Sequence, residues 1–102
     1  MKLFIVASLR ECQEDVIDIF KKANIRMYST LGVTGSKDNN GIDISEDWFA
    51  SGDAKFDSLV QFSFTSNENA SQGMEIVKVY NESKDSKFPI RAFILAVENS
   101  SH

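Results

Sequence analysis

The sequence predicts a single α+β domain of the ferredoxin-like type, in the order βαββαβ, with an antiparallel sheet that carries two helices on one face. Two observations lead there. Four short apolar runs rich in β-branched and aromatic residues are interleaved with two stretches of helical periodicity, so that a strand-helix-strand unit occurs twice. A length of 102 residues with 42% hydrophobic content supplies one modest core, which sets the domain count at one.

The first strand is expected at residues 2–8, KLFIVAS, a short apolar run. Over 11–23 the spacing turns helical, with Val16, Ile17, Phe20 and Ala23 on one side and Glu14, Asp15, Asp18, Lys21 and Lys22 on the other. Acids lead and lysines trail, as the helix dipole favours, and Ser8 with Glu11 fits a capping box. A second strand is expected at 26–34, RMYSTLGVT, and a third at 58–65, where Val60, Phe62 and Phe64 alternate with Gln61 and Ser63. Thr65-Ser66-Asn67-Glu68 has the character of a helix start; the helix it opens lines up Ala70, Met74, Val77 and Tyr80 and ends near Ser83. Residues 88–97, FPIRAFILAV, form the fourth strand, where Pro89 suits a strand's start or a sheet edge.

Strand one is apolar on both alternations, Leu3/Ile5/Ala7 and Phe4/Val6, and so is strand four, Ile90/Ala92/Ile94 against Phe93/Leu95/Val97. Two helices on one face cover one set only. The other set needs a cover from outside the chain, and further copies of the same chain are the expected source.

Charge and cysteine usage narrow the function classes. A formal net charge of −4 lacks the clustered Lys and Arg that bind a phosphate backbone, so no nucleic-acid partner is expected. One cysteine, Cys12, forms no internal disulfide, no charged leader precedes the first strand, and no apolar run reaches the roughly 20 residues of a bilayer span. A cytoplasmic protein without direct membrane insertion is expected.

The run MKLFIVASLRECQEDVIDIFKKANI, the strand ending Val33-Thr34-Gly35 and the long insertion after it resemble the PII signalling family and its PII-like relatives, including the CutA branch, over nearly the whole chain. The resemblance implies a ferredoxin-like homotrimer whose large T-loop, between strands two and three, docks on or blocks a protein partner such as a transporter or an enzyme. It also implies inter-subunit clefts that bind a small effector, often an adenine nucleotide, which sets the loop's conformation. In this chain the loop would run from about residue 35 to 57. Gly35 sits where the family has the glycine that opens the loop, Lys37 lies near its start, and Lys87 with Lys84 stands for the lysine of the family's second ligand-binding segment. The resemblance therefore marks Gly35, Lys37, Lys84 and Lys87 as ligand-binding. That second segment is glycine-rich in the family, letting backbone amides approach phosphates, whereas NESKDSKFPI here has no glycine, and VENSS replaces a basic pair in the last strand. A different effector, or none, fits these losses better.

The insertion contains DISEDWFASGD, with Trp48 and Phe49 side by side among acids and small polar residues that build no core of their own. The two aromatics either tuck back onto the assembly or anchor a partner; the second role makes them docking residues. Asp38, Asn40 and Gly41 fall on three positions of a calcium loop, but Ser36 and Asp47 stand at its two ends, so Asn39-Asn40-Gly41 reads as a tight turn. Asp38, Asp43, Glu46 and Asp47 leave weak divalent-metal binding as a lesser reading of the loop, and the alternative to a PII-like regulator is a CutA-like divalent-metal-binding protein in cation homeostasis. An acylphosphatase-type enzyme is the third reading: Arg10 lies after strand one without the glycines of a phosphate cradle, and the only histidine is the terminal His102. The sequence favours a regulator without catalysis, with an adenine nucleotide or a divalent metal as the expected ligand.

Overall fold

A computed structural model describes residues 1–36, 55–84 and 89–101 of the chain. Among them the elements are β1 (Lys2–Leu9), a 3-10 turn (Arg10–Cys12), α1 (Gln13–Lys22), β2 (Ser29–Ser36), β3 (Lys55–Thr65), α2 (Asn67–Lys84) and β4 (Arg91–Ala96). The four strands form one sheet in the order β2-β3-β1-β4, each pair antiparallel, which is the expected ferredoxin-like arrangement. No helix among the described residues is long and apolar enough to cross a membrane.

The position of β1 inside the sheet explains its composition. It pairs with β3 on one side and β4 on the other. Phe4 and Val6 point to the helices and are fully buried, and with Val16, Ile19, Phe20, Ala23, Ala70, Val77 and Ile90 they build the core. Phe4, Phe20 and Tyr28 stack through it with ring centroids 5.7 and 5.1 Å apart. α1 buries Ile19 and leaves Ile17 half-exposed, a rotation of the expected stripe by part of a turn.

Several boundaries differ from the sequence reading. Ser8 remains in the β1 ladder opposite Leu59, and its hydroxyl donates to the Leu9 carbonyl, so the expected capping box with Glu11 does not form and α1 begins without a side-chain cap. Ser66 does cap α2, accepting the Asn69 N–H at 3.1 Å. β2 starts at Ser29 because Asn24, at φ 61°, ends α1 in the left-handed region and residues 25–28 still lead the chain back to the sheet. The strands run further into the insertion than expected: Gly35 pairs with Phe56 and Ser36 with Lys55, leaving residues 37–54 between them.

The register of β3 decides which side of its alternation faces inward. Gln61 stands opposite Val6 and Ser63 opposite Phe4, so the polar set faces the helices, while Val60, Phe62 and Phe64 join Leu3, Ile5, Leu31, Phe93 and Leu95 on the second face. That face is apolar and partly open: Phe64 is 57% exposed, Leu31 53%, Leu95 46% and Phe93 39%. The helices do cover one face only.

Gln61 is fully buried, and neither its amide oxygen nor its amide nitrogen has a hydrogen-bond partner. Burying an amide unpaired costs about 1–3 kcal/mol, and an apolar side chain of similar length removes that cost. Gln61→Met is expected to raise stability by about 1–2 kcal/mol in urea titration; a lower midpoint would show that the amide is satisfied in solution.

Candidate functional site

The antiparallel order collects one end of every element in the same region. The C-terminal ends of β1, β2 and α2 meet the N-terminal ends of β3, β4 and α1 there. Both undescribed connections, 37–54 and 85–88, spring from this end. Their bases are anchored differently, and each anchor is set by particular residues.

The base of the insertion is a strand pair. Because Ser36 stands opposite Lys55, the chain leaves the sheet and returns to it at neighbouring positions. Gly35 lies within this ladder, in strand conformation. Nearby, Gly32 gives the Arg10 side chain its seat: a Cβ at residue 32 would come within 3.2 Å of an Arg10 guanidinium nitrogen. Arg10 thus crosses from the end of β1 to lie against β2, a placement that its position in the sequence did not suggest.

The base of the second connection is a side-chain clamp. Asn81, on the last turn but one of α2, donates from Nδ2 to the Ile90 carbonyl at 2.8 Å and accepts the Ile90 N–H on Oδ1 at 3.0 Å. Ile90 is buried, so the amide of Asn81 takes the part a neighbouring strand would otherwise play. It ties residue 90 to α2 just before β4 begins. No sequence signal marks it, since an asparagine near a helix end more often serves a cap or a turn.

Lys84 ends α2 on the outer side of the helix layer. Its Nζ lies 5.7 Å from the centre of the Tyr80 ring, beside a groove of about 300 Å³ lined by Asp15, Asp18, Lys22, Ser83 and others between the helices. Tyr80 donates its hydroxyl to the Asp15 carboxylate at 2.6 Å, tying α2 to the start of α1. Burial, with Asp15 as acceptor, pushes the Tyr80 hydroxyl well above the usual phenol range, so it remains a donor at neutral pH. Burial also pushes the neighbouring Cys12 thiol up, outweighing the favourable influence of the nearby Tyr80 side chain. Cys12 is therefore held as a thiol, without the activation a nucleophile needs.

Of the expected ligand-binding residues, Gly35 and Lys84 are described, and they occupy the same end of the domain on different elements. β2, with Gly35, is an edge strand, whereas α2, with Lys84, packs on β4 and β1. Two strand spacings, about 10 Å of sheet, separate β2 from β1. Lys37, Lys87, Trp48 and Phe49 lie outside the described residues, as do Asp38, Asp43, Glu46, Asp47 and His102. Among the described residues no three His, Cys, Asp or Glu side chains gather closely enough to hold a metal.

No family profile and no curated protein matches the sequence. Solved structures do match the fold. The chain superposes on CPII, a nitrogen regulatory PII-like protein from Thiomonas intermedia K12 bound to ADP, AMP and bicarbonate, with a TM-score of 0.65 and 13% identity, covering 94% of this chain and 88% of that one. The apo form of the same protein gives a TM-score of 0.64 at 12% identity, over 91% of this chain and 84% of that one. A structure described as a PII-like signalling protein from Thermus thermophilus gives 0.63 at 12% identity, over 91% and 82%. The chain has the fold of PII-like signalling proteins.

Proposed function

We propose that this chain is a PII-like regulatory protein without catalysis, acting in the cytoplasm as a homotrimer that binds a small effector between subunits and presents its insertion to a protein partner. The observation that carries the reading is the second sheet face. It is an apolar surface left open by the helices, on a fold whose neighbours are PII-like signalling proteins. Closing it with further copies removes that surface from water and sets the ends of neighbouring sheets side by side, which supplies the cleft.

In this reading Gly35, Lys37 and Lys87 contact the effector, with Lys84 at the margin, and Trp48 and Phe49 meet the partner, a transporter or an enzyme. The two anchors described above support it: the Ser36–Lys55 pair and the Asn81 clamp each fix the described chain next to one candidate segment. Because CPII was found with ADP, AMP and bicarbonate, adenine nucleotides are the first effectors to test.

The decisive experiment combines a thermal-shift screen with the fluorescence of Trp48, the only tryptophan. An adenine nucleotide at about 100 times its dissociation constant should stabilise the protein by about 2.7 kcal/mol and change the Trp48 emission. A shift produced by divalent metal ions alone would favour the CutA-like reading instead. Silence toward nucleotides, bicarbonate and metals, or a monomeric mass in light scattering at micromolar concentration, would defeat the proposal.

A further inference from the structure

We infer that Arg91 is the group by which one copy of this chain recognises the next: its guanidinium receives a carboxylate that the neighbouring copy brings onto the second sheet face. The inference rests on the self-association proposed above and adds the contact that orients it. Arg91 opens β4 in register with Ala7 of β1, on the face turned away from the helices. The other described side chains of that face are aliphatic, aromatic or hydroxyl, from Leu3 and Ile5 through Val60 and Phe62 to Phe93 and Leu95. Among the described residues of the face, Arg91 is the one ionisable group.

Its Nε is buried and has no hydrogen-bond partner. Ala7 and Ser58, which point to the same side, are already 3% and 2% exposed, so this end of the face is partly closed before any other copy arrives. A purely apolar cover would strip water from the rest of the guanidinium and leave a buried, unpaired charge, which is strongly unfavourable. Whatever closes the face must therefore carry an acceptor. A carboxylate fits best, because it matches the planar guanidinium fork with two parallel, charge-assisted hydrogen bonds.

The chain has acids to spare, 15 Asp and Glu against 11 Lys and Arg. In a closed ring of identical copies each Arg91 meets the same acid of its neighbour, one pair per contact. An apolar face alone tolerates many rotations of one copy on the next, whereas a single desolvated ion pair selects the rotation that satisfies it.

The test compares the self-association of the wild-type chain and Arg91→Met by light scattering and sedimentation over a dilution series, from low salt to about 0.5 M. If Arg91 is paired, methionine strands the neighbour's carboxylate, and the dissociation constant should rise by about tenfold or more with the monomer's circular dichroism unchanged. If Arg91 is unpaired, methionine relieves a buried charge, and assembly as tight as or tighter than wild type overturns the inference. Should Arg91→Met fail to fold, Arg91→Lys decides on the same scale: it keeps the charge but loses the fork, so weaker assembly supports the pair and unchanged assembly rejects it. A wild-type chain that is monomeric at every concentration overturns the self-association reading itself; an oligomeric wild type indifferent to Arg91→Met overturns only the role of Arg91.

Discussion

Gly73→Ala is expected to destabilise the domain by about 2 kcal/mol and to lower its melting temperature by roughly 10 °C. Gly73 is buried on the face of α2 that crosses β1, and a Cβ there would lie 2.8 and 2.9 Å from two ring carbons of Phe4. The ring has nowhere to go. Phe4 is fully buried, its centroid lies 5.7 Å from that of Phe20, and Phe20 is held in turn by Tyr28. Overpacking of this kind costs about 3 kcal/mol, and replacing a glycine inside a helix returns roughly 1 of it. The two residues are coupled, so Phe4→Leu should be less harmful in the Gly73→Ala background than alone. A melting temperature unchanged or raised by Gly73→Ala would mean that α2 sits further from the sheet.

Asn81→Ala is expected to cost about 2–3 kcal/mol, since it removes two hydrogen bonds at once and leaves both polar backbone groups of a buried residue unpaired. The effect should be local as well as global. Amide exchange at Ile90 should rise more than exchange in the centre of β1, because the clamp holds the approach to β4 rather than the ladder itself. If the effector contacts the segment carrying Lys87, the same variant should also weaken effector binding beyond what stability explains. Equal exchange at Ile90 in the two proteins would show that the strand is held without the asparagine.

These two residues show where the sequence reading ends. Gly73 and Asn81 both fall on the inward stripe of α2, three or four residues from Ala70 or Val77, but neither carries an apolar side chain to mark it there, and each acts through one specific neighbour, Phe4 or Ile90, away from it along the chain. Gln61 is a sharper case. Its alternation with Val60 and Phe62 marks two different faces without saying which one meets the helices, and pairing with Val6 turns the Gln61 side under them. A strand's period states that two faces differ; it does not state which face meets the helices, because a one-residue shift in register exchanges them. For the candidate site the sequence supplied residues rather than an arrangement. The resemblance marked Gly35 and Lys84 as ligand-binding, but that they share one end of the domain, the seat of Arg10 on Gly32 and the link from Tyr80 to Asp15 depend on which elements the fold brings together.

Local chemistry was enough to determine the element types and their order, the single core, and the apolar character of both sides of β1, because each of these follows from the preferences of residues close in sequence. Which side of β3 packs inward, how closely α2 approaches Phe4, how the start of β4 is tied down and why the Arg91 Nε lacks a partner were decided only on folding. Those properties belong to pairs of groups separated along the chain, and a linear pattern carries no record of the distance between them.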